Sequence, residues 1–322
     1  MTKLSVLVPC CNVEKYVEEC LHSIQNQTFS DFEVICLNDG SKDGTLALLQ
    51  QFTIADSRFV VIDKPNSGYG DTMNLGLENA KGDYVGIVES DDFIEPEMFE
   101  KLVTLAEKNA LDIARGCYFV YQDGKDSPKT FPKVQKDKVF RPLDDPLVFY
   151  QAPAIWSAIY RRDWLNEHNI RFLPTPGASY QDTSFAFKTY FKCRRFMMVS
   201  DCFLHYRQHA NNSVKSSGKV FSVCDEWDEI IRYAKLDLQG FAIARRFIAD
   251  VREGTYFWNY NRLTDQAQLE FLQRWAKDLK QLRAQGLDKP IKLRLRIRSW
   301  FIQNCPSLFH SYREYRQNLK SR

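Results

Sequence analysis

The first hundred residues alternate short apolar runs with segments of helical spacing, and that alternation restricts the chain to an α/β architecture. Residues 4–8 (LSVLV) form a compact apolar strand that Pro9 ends. Residues 16–27 have helical spacing, with Val17, Cys20, Leu21 and Ile24 on one face. Residues 32–37 (FEVICL) read as a second strand, closed by NDGSKDG, a turn and helix-start signal. A helix over 45–52, a strand over 59–62, a helix over 71–79 and a strand over 84–88 follow. Strands apolar throughout belong to a parallel sheet covered on both faces. Such sheets bind ligands beyond the carboxyl ends of their strands. The polar loops PCCN, NDGS and ESDD lie at those ends, so they are expected to converge on one crevice.

Beyond residue 98 the spacing predicts a helix over 99–109 and a strand within 112–121. Residues 123–146, rich in Lys, Asp and Pro, read as an excursion of loops. Residues 151–206 are strongly aromatic, and the pattern is helical from about 217 onward. The expected organisation is therefore 1–110, 111–216 and 217–322, with no internal repeat.

At 322 residues, 44% apolar and 26% charged, the composition is that of a globular protein with a large core. The net charge of +3 is unevenly spread. Residues 281–322 hold ten Lys and Arg against Asp288 and Glu314, so this tail carries +8 and the rest of the chain −5. An anionic surface is the partner such a tail suits. Nucleic acid is a poor candidate, because the basic residues cluster only there. The opening MTKLSVLVPCCNVEKY lacks the long apolar run of a signal peptide, and no stretch approaches the roughly 18 apolar residues of a membrane span. Nine cysteines without CxxC spacing read as reduced thiols, and the expected location is cytoplasmic.

Four polar segments carry chemistry. In GIVESDDFIEPEMF an apolar run stops at Glu89, Asp91 and Asp92, with Ser90 among them. Clustered carboxylates repel each other and suit a hard cation such as Mg²⁺ or Mn²⁺. A solvated acidic turn is the competing explanation. Glu95 and Glu97 flank Pro96 and are expected to favour the start of the following helix. In NDGSKDG, Asp39 is placed to accept a hydrogen bond from a base edge, whereas Ser41 or Asp43 suits a helix cap. In SYQDTSFAFKTYF, Asp182 opens a helix, either as its cap or as a general base. In HYRQHANNS, read as a polar loop, Arg207 and His209 suit a diphosphate, and either His205 or His209 suits a metal.

Together these segments resemble a known family. LSVLVPCCNVEKYVEECLHSIQNQTFSDFEVICLNDGSKDGT is similar to the opening of bacterial family 2 glycosyltransferases, which have the GT-A fold. NSGYGDTMNLGLENAKGDYVGIVESDDFIEP resembles that family's Gly-rich helix, strand and DxD loop. IWSAIYRRDWLNEHNIRFLPTPGASYQDTSF resembles its acceptor-side segment, and HYRQHANNSV the loop that closes over the donor diphosphate. The likeness covers residues 3–215 and leaves the last hundred residues unassigned.

The resemblance implies a GT-A fold, a Rossmann-like, mostly parallel sheet flanked by helices, with a mainly helical C-terminal extension. It implies an inverting, metal-dependent transfer of sugar from a nucleotide sugar, a UDP-sugar foremost, to a saccharide or lipid-linked saccharide in bacterial surface polysaccharide synthesis. Pro9, Asn12 and Asp39 would line the base, and Asn74, Ser90, Asp92, Arg207 and His209 would contact the nucleotide sugar. Asp91 would bind Mn²⁺ or Mg²⁺; Glu89 replaces the commoner Asp and would reach the metal shell or the ribose. Asp182 would be the catalytic base. Gln181 stands where Glu is commoner, and Met73 where many relatives have Arg. A sugar nucleotidyltransferase would want a Gly-rich basic phosphate loop that PCCNVEKY is not, and a non-catalytic relative would have lost Asp91 or Asp182. KPIKLRLRIRSWFIQ alternates basic and apolar residues before Trp300 and Phe301, which suits peripheral contact with an anionic membrane, the cytoplasmic face of the inner membrane being the expected one. Its alternation fits a strand as well as a charged helix.

Overall fold

Strand β1 (Leu4–Cys10) is buried along its whole length because parallel neighbours flank it on both sides. One is β2 (Phe32–Asp39), in register from Leu4 opposite Phe32 to Cys10 opposite Asn38; the other is β4 (Tyr84–Ile87). With Leu4 and Leu7 wholly inaccessible, truncating either to Ala is expected to cost about 2–5 kcal/mol. Strand β3 (Phe59–Lys64) pairs in parallel with β2 and leaves its outer side partly exposed, as an edge strand does. Helix α1 (Val17–Gln25) buries Val17, Cys20, Leu21 and Ile24, the face its spacing predicts. Helices α2 (Thr45–Ala55) and α3 (Tyr69–Asn79) complete the alternation, α3 starting two residues earlier than expected. The computed structural model describes residues 2–209, 219–287 and 292–318, and the chain divides into two units, Met1–Asn212 and Ser213–Arg322.

Past β4 the first unit turns from parallel to mixed. β5 (Phe93–Ile94) and helix α4 (Met98–Lys108) precede β6 (Ile113–Gln122). β8 (Ala158–Arg161) runs antiparallel between β4 and β6, helices α5 (Arg162–Glu167) and α6 (Gln181–Lys192) follow it, and β9 (Phe196–Arg207) runs parallel to β6 and antiparallel to β5. Among the described residues nine strands form one sheet, ordered β3-β2-β1-β4-β8-β6-β9-β5, with β7 (Lys125–Lys129) paired to β6. The two expected halves, 1–110 and 111–216, thus share a single sheet.

Two expectations for this unit change. The excursion over 123–146 contains β7, which folds back on β6 through Asp123 and Gly124, at φ +52° and +75°. Two successive positive φ angles at an Asp-Gly pair make the tight turn that matches strand twist. The expected polar loop from His205 is instead the end of β9, so His205 and Arg207 are strand residues. The last residues of that expected loop, 210–213, lie outside the described residues.

The second unit is helical: α7 (Ser222–Lys235), α8 (Leu238–Ala244), α9 (Ile248–Tyr260), α10 (Asp265–Ala284), α11 (Leu293–Asn304) and α12 (Pro306–Asn318). Trp227, Tyr256, Phe271 and Trp275 are buried at its centre. Buried Glu253 accepts hydrogen bonds from Trp275 Nε1 at 2.9 Å and Arg298 Nε at 3.1 Å. Arg298 also lies over the Phe257 ring, 4.2 Å from its centroid. The basic segment whose alternation left strand and helix open is therefore helix α11, anchored by one arginine turned inward.

Candidate active site

The carboxyl ends of β1, β2 and β4 bring the three polar loops to one side of the sheet. Beyond β1, Asn12 takes a left-handed backbone (φ +55°), and its Oδ1 accepts from Lys42 N at 2.8 Å. Its own N–H donates to Ser41 Oγ, so Asn12 joins the first loop to the second. Pro9 lies within β1 opposite Leu37. At the end of β2, Asp39 sits opposite Lys64 of β3 in the parallel register, and Lys64 Nζ donates to its carboxylate. The amides of Ser67 and Gly68 donate to Asp39 as well, at 2.8 and 3.0 Å. Burial opposes ionisation of Asp39, but Lys64 and the two amides outweigh it and hold the carboxyl below its usual range. These bonds leave one acceptor position on Oδ2, the atom bonded only by Gly68 N. Asp43 accepts from the Thr45 amide and hydroxyl in the turn before α2, but the cap position expected for it or Ser41 is taken by Gly44.

The loop after β4 is clasped by the end of β9. Arg207 N donates to Asp92 Oδ1 at 2.9 Å and Arg207 Nε to the Asp91 carbonyl at 2.8 Å, while its Nη2 pairs with Glu19. His209 Nε2 lies 2.8 Å from Asp91 Oδ2, its ring stacked on Tyr16. Buried Asp92 keeps Oδ2 without a hydrogen-bond partner, and burial, reinforced by Asp91, pushes its carboxyl well up. Ser90 is buried beneath the loop. Glu89 accepts from the Tyr69 hydroxyl at 2.6 Å, and burial, together with the charges of Asp91 and Asp182, pushes it up to about 8.

Asp182 lies near enough to Glu89 and Tyr69 for its charge to act on both. It lies in the first turn of α6 (Gln181–Lys192), a helix buried on most of its surface. Tyr180 just before it adopts φ +67°, unusual for a bulky residue and of the kind found at functional sites. Burial pushes the Asp182 carboxyl up to about 6 against the opposing bond from Thr183. Gln181 holds the preceding loop, its amide donating to Thr175 Oγ1 at 2.9 Å and Gly177 O at 3.1 Å while Ser179 N donates to its Oε1. The same loop rests on the start of α3, where Tyr69 N donates to Gly177 O. Gly68 (φ +95°) and Gly70 permit this contact: a Cβ on Gly70 would lie 2.0 Å from Leu173 O.

Four placements differ from the expected roles. Asn74, counted with the nucleotide contacts, forms a two-point pair with the Phe172 backbone at 3.0 and 2.8 Å. His205 joins no metal cluster among the described residues: it is stacked between Phe93 and Phe119, with its nitrogens 2.8 Å from Asp126 and 2.9 Å from Glu95. Glu95 is accordingly a partner of His205 rather than a helix-start charge. The side chains of Arg207 and His209 both bind the Asp91–Asp92 loop. Lys64 and Tyr69, absent from the expected site, belong to it. Their roles arise from strand pairing and helix packing that no local motif announces.

A hard cation takes oxygen ligands and is commonly held by one or two carboxylates plus substrate phosphates. Among the described residues no three His, Cys, Asp or Glu converge as a metal cluster. Asp91 with His209, beside the unpaired oxygen of Asp92, fits the sparse protein share of such a site, with most positions left to a diphosphate. Aromatic side chains of 151–206 mostly pack the core, Trp156 stacking on Tyr206 with ring centroids 5.3 Å apart.

Comparison with known proteins gives the family and the fold. The uncharacterized glycosyltransferase EpsJ of Bacillus subtilis (strain 168) is 30% identical over 218 residues, covering 65% of this chain and 62% of EpsJ. The poly(ribitol-phosphate) beta-N-acetylglucosaminyltransferase TarS of Staphylococcus aureus (strain MW2) is 26% identical over 245 residues, 74% of this chain and 41% of TarS. The crystal structure of S. aureus TarS residues 1–349 with UDP-GlcNAc superposes with a TM-score of 0.72 at 22% identity, over 87% of this chain and 81% of that one. The mannosyltransferase PcManGT of Pyrobaculum calidifontis, solved with GDP-Man and Mn²⁺, gives a TM-score of 0.51 at 15% identity, over 93% and 84%. These structures share the GT-A fold with the chain. The family described as Glycosyl transferase family 2 matches residues 5–168, and the chain belongs to that family.

Proposed function

We propose that the chain transfers a sugar, with inversion, from a nucleotide sugar to a hydroxyl of a saccharide or lipid-linked saccharide. The observation that carries this reading is Asp182, a buried carboxyl pushed up to about 6 in the first turn of α6, within electrostatic reach of Glu89. A base poised near neutrality suits proton abstraction from a sugar hydroxyl. The acceptor oxygen bonds to the anomeric carbon from the face opposite the leaving group. The bond from that carbon to the diphosphate breaks with its electron pair on the diphosphate oxygen, and the hydroxyl proton passes to Asp182. Asp91, with either His209 or Glu89 as its single partner, would hold Mn²⁺ or Mg²⁺. A bound cation would neutralise charge on the departing diphosphate. Arg207 keeps the Asp91–Asp92 loop in place and adds positive charge beside it.

The open acceptor position on Asp39 Oδ2 suits a uracil N–H, which favours a UDP-sugar. The TarS structure with UDP-GlcNAc supports that choice, and PcManGT with Mn²⁺ supports the cation. TarS is described as acting on poly(ribitol-phosphate), which supports a cell-envelope polymer as the destination of the sugar. No helix among the described residues is long and apolar enough to cross a membrane. The proposed setting is the cytoplasmic side of the membrane, with the basic C-terminal segment in contact with anionic lipid.

The test is nucleoside diphosphate release from a panel of UDP- and GDP-sugars, with and without Mn²⁺, in the wild type and Asp182→Asn. Metal-dependent release from a UDP-sugar by the wild type alone is expected. Release by Asp182→Asn at the wild-type rate would remove Asp182 as the base.

A further inference from the structure

Helix α11 carries apolar residues on two faces, whereas a helix packed on a soluble unit needs one. Ile302 and Ser299 are buried, and Arg298 is fastened to Glu253. Leu293, Ile297, Trp300 and Phe301 are left 37–70% exposed. At about 100° per residue these four fall within an arc of about 100°, and Ile302 lies about 180° from Leu293. The outward stripe is thus a separate face and not the margin of the packed one. Exposed Arg294 and Arg296 flank it on either side. The next helix, α12, repeats the pattern: Leu308, Tyr312 and Tyr315, at i, i+4 and i+7, are 56–62% exposed, while His310 is buried and bonded to Tyr260.

We propose that the outward faces of α11 and α12 form an interfacial docking surface for an anionic lipid bilayer. The Leu, Ile, Trp, Phe and Tyr side chains enter the headgroup region, and Arg294 and Arg296 pair with lipid phosphates. Trp and Tyr favour that interface because one end of each ring is apolar and the other forms hydrogen bonds. The charge selects a bilayer over a neutral apolar partner, since residues 281–322 keep a net charge of +7 once Arg298 is set against Glu253, and that excess attracts anionic headgroups. Arg298, locked inward on Glu253, fixes which way the stripe points. The inference deepens the membrane contact named under the proposed function and rests on it.

The test is co-sedimentation of the full chain with phosphatidylcholine vesicles and with vesicles containing phosphatidylglycerol, at low and high salt. The wild type is expected to pellet with the anionic vesicles at low salt only. Ile297→Ser with Trp300→Ser should abolish binding, and Arg294→Ala with Arg296→Ala should weaken it by about 30-fold. These exposed variants should keep wild-type nucleotide release with a water-soluble acceptor, so loss of vesicle binding with intact release separates the docking face from the glycosyl-transfer reading. A wild type that stays in the supernatant with anionic vesicles, or variants that pellet as it does, would overturn the proposal. So would a dimer in analytical ultracentrifugation that Trp300→Ser dissociates, because a second copy would then cover the stripe.

Discussion

Tyr69 donates its phenolic hydrogen bond to Glu89 Oε1 across 2.6 Å, tying the first turn of α3 to the acidic loop beyond β4. Burial pushes Glu89 up to about 8, and the bond from Tyr69 works against that shift by favouring the ionised form. A cation bound through Glu89 would have to displace a proton below that pH. Mn²⁺ affinity is therefore expected to fall as pH drops below about 8, approaching about tenfold per unit. Tyr69→Phe removes the bond and should move the midpoint to higher pH. Titration calorimetry of Mn²⁺ with UDP between pH 6 and 9 checks both, and a flat profile would take Glu89 out of the ligand set.

Asp182 should set the acidic limb of the activity, with turnover rising as pH passes through about 6. Asp182→Asn is expected to lower turnover by about 10²–10⁴ with donor affinity nearly unchanged. Its effect on stability has the opposite sign. The folded pKa lies above the unfolded one, so the group stabilises the fold fully below about 4 and loses that contribution as pH rises through about 6. Asn escapes that loss. Urea denaturation at pH 8 should show the variant more stable by on the order of 2 kcal/mol, and the difference should vanish at pH 4. A variant less stable at pH 8 would contradict a strained, buried base.

The alternation through β4 was legible because each parallel strand is apolar on both faces, a pattern that needs no knowledge of its neighbours. Asp91 and Asp182 stand out in the sequence as motif residues, and the structure pairs Asp91 with His209 and sets Asp182 in the first turn of α6. Lys64 was not, because it meets Asp39 only through the register of β2 and β3, 25 positions apart in sequence. Tyr69 likewise acquires its role from the packing of α3 beside the β4 loop. His205 looked like a ligand from its neighbours in sequence, yet the two phenylalanine rings that enclose it come from β5 and β6. The β7 hairpin was within reach, since Asp123-Gly124 is a strong turn signal inside a segment whose Lys and Pro content obscured it.

Gln181→Glu tests what the amide at this position does. The buried Gln181 amide donates to Thr175 Oγ1 and to the Gly177 carbonyl, and an ionised carboxylate can donate to neither. Leaving those acceptors facing a negative charge should cost about 1–3 kcal/mol in urea denaturation. Any added negative charge beside Asp182 should also raise its pKa and shift the acidic limb of turnover upward. Unchanged stability together with an unchanged pH profile would mean that the amide donors hold nothing.

Asn74→Ala separates two roles for one side chain. Its amide pairs with the backbone of Phe172, and Phe172 stacks on Phe185 of α6 with ring centroids 4.0 Å apart, so Asn74 acts through packed contacts on the helix that carries Asp182. Removing it leaves an N–H and a carbonyl of a buried residue unpaired, at a cost of about 1–3 kcal/mol. The expected kinetic signature is a higher KM for acceptor and lower turnover, with UDP affinity near that of the wild type. A fall in UDP affinity with acceptor KM unchanged would instead return Asn74 to the nucleotide contacts, where its position in the Gly-rich helix first put it.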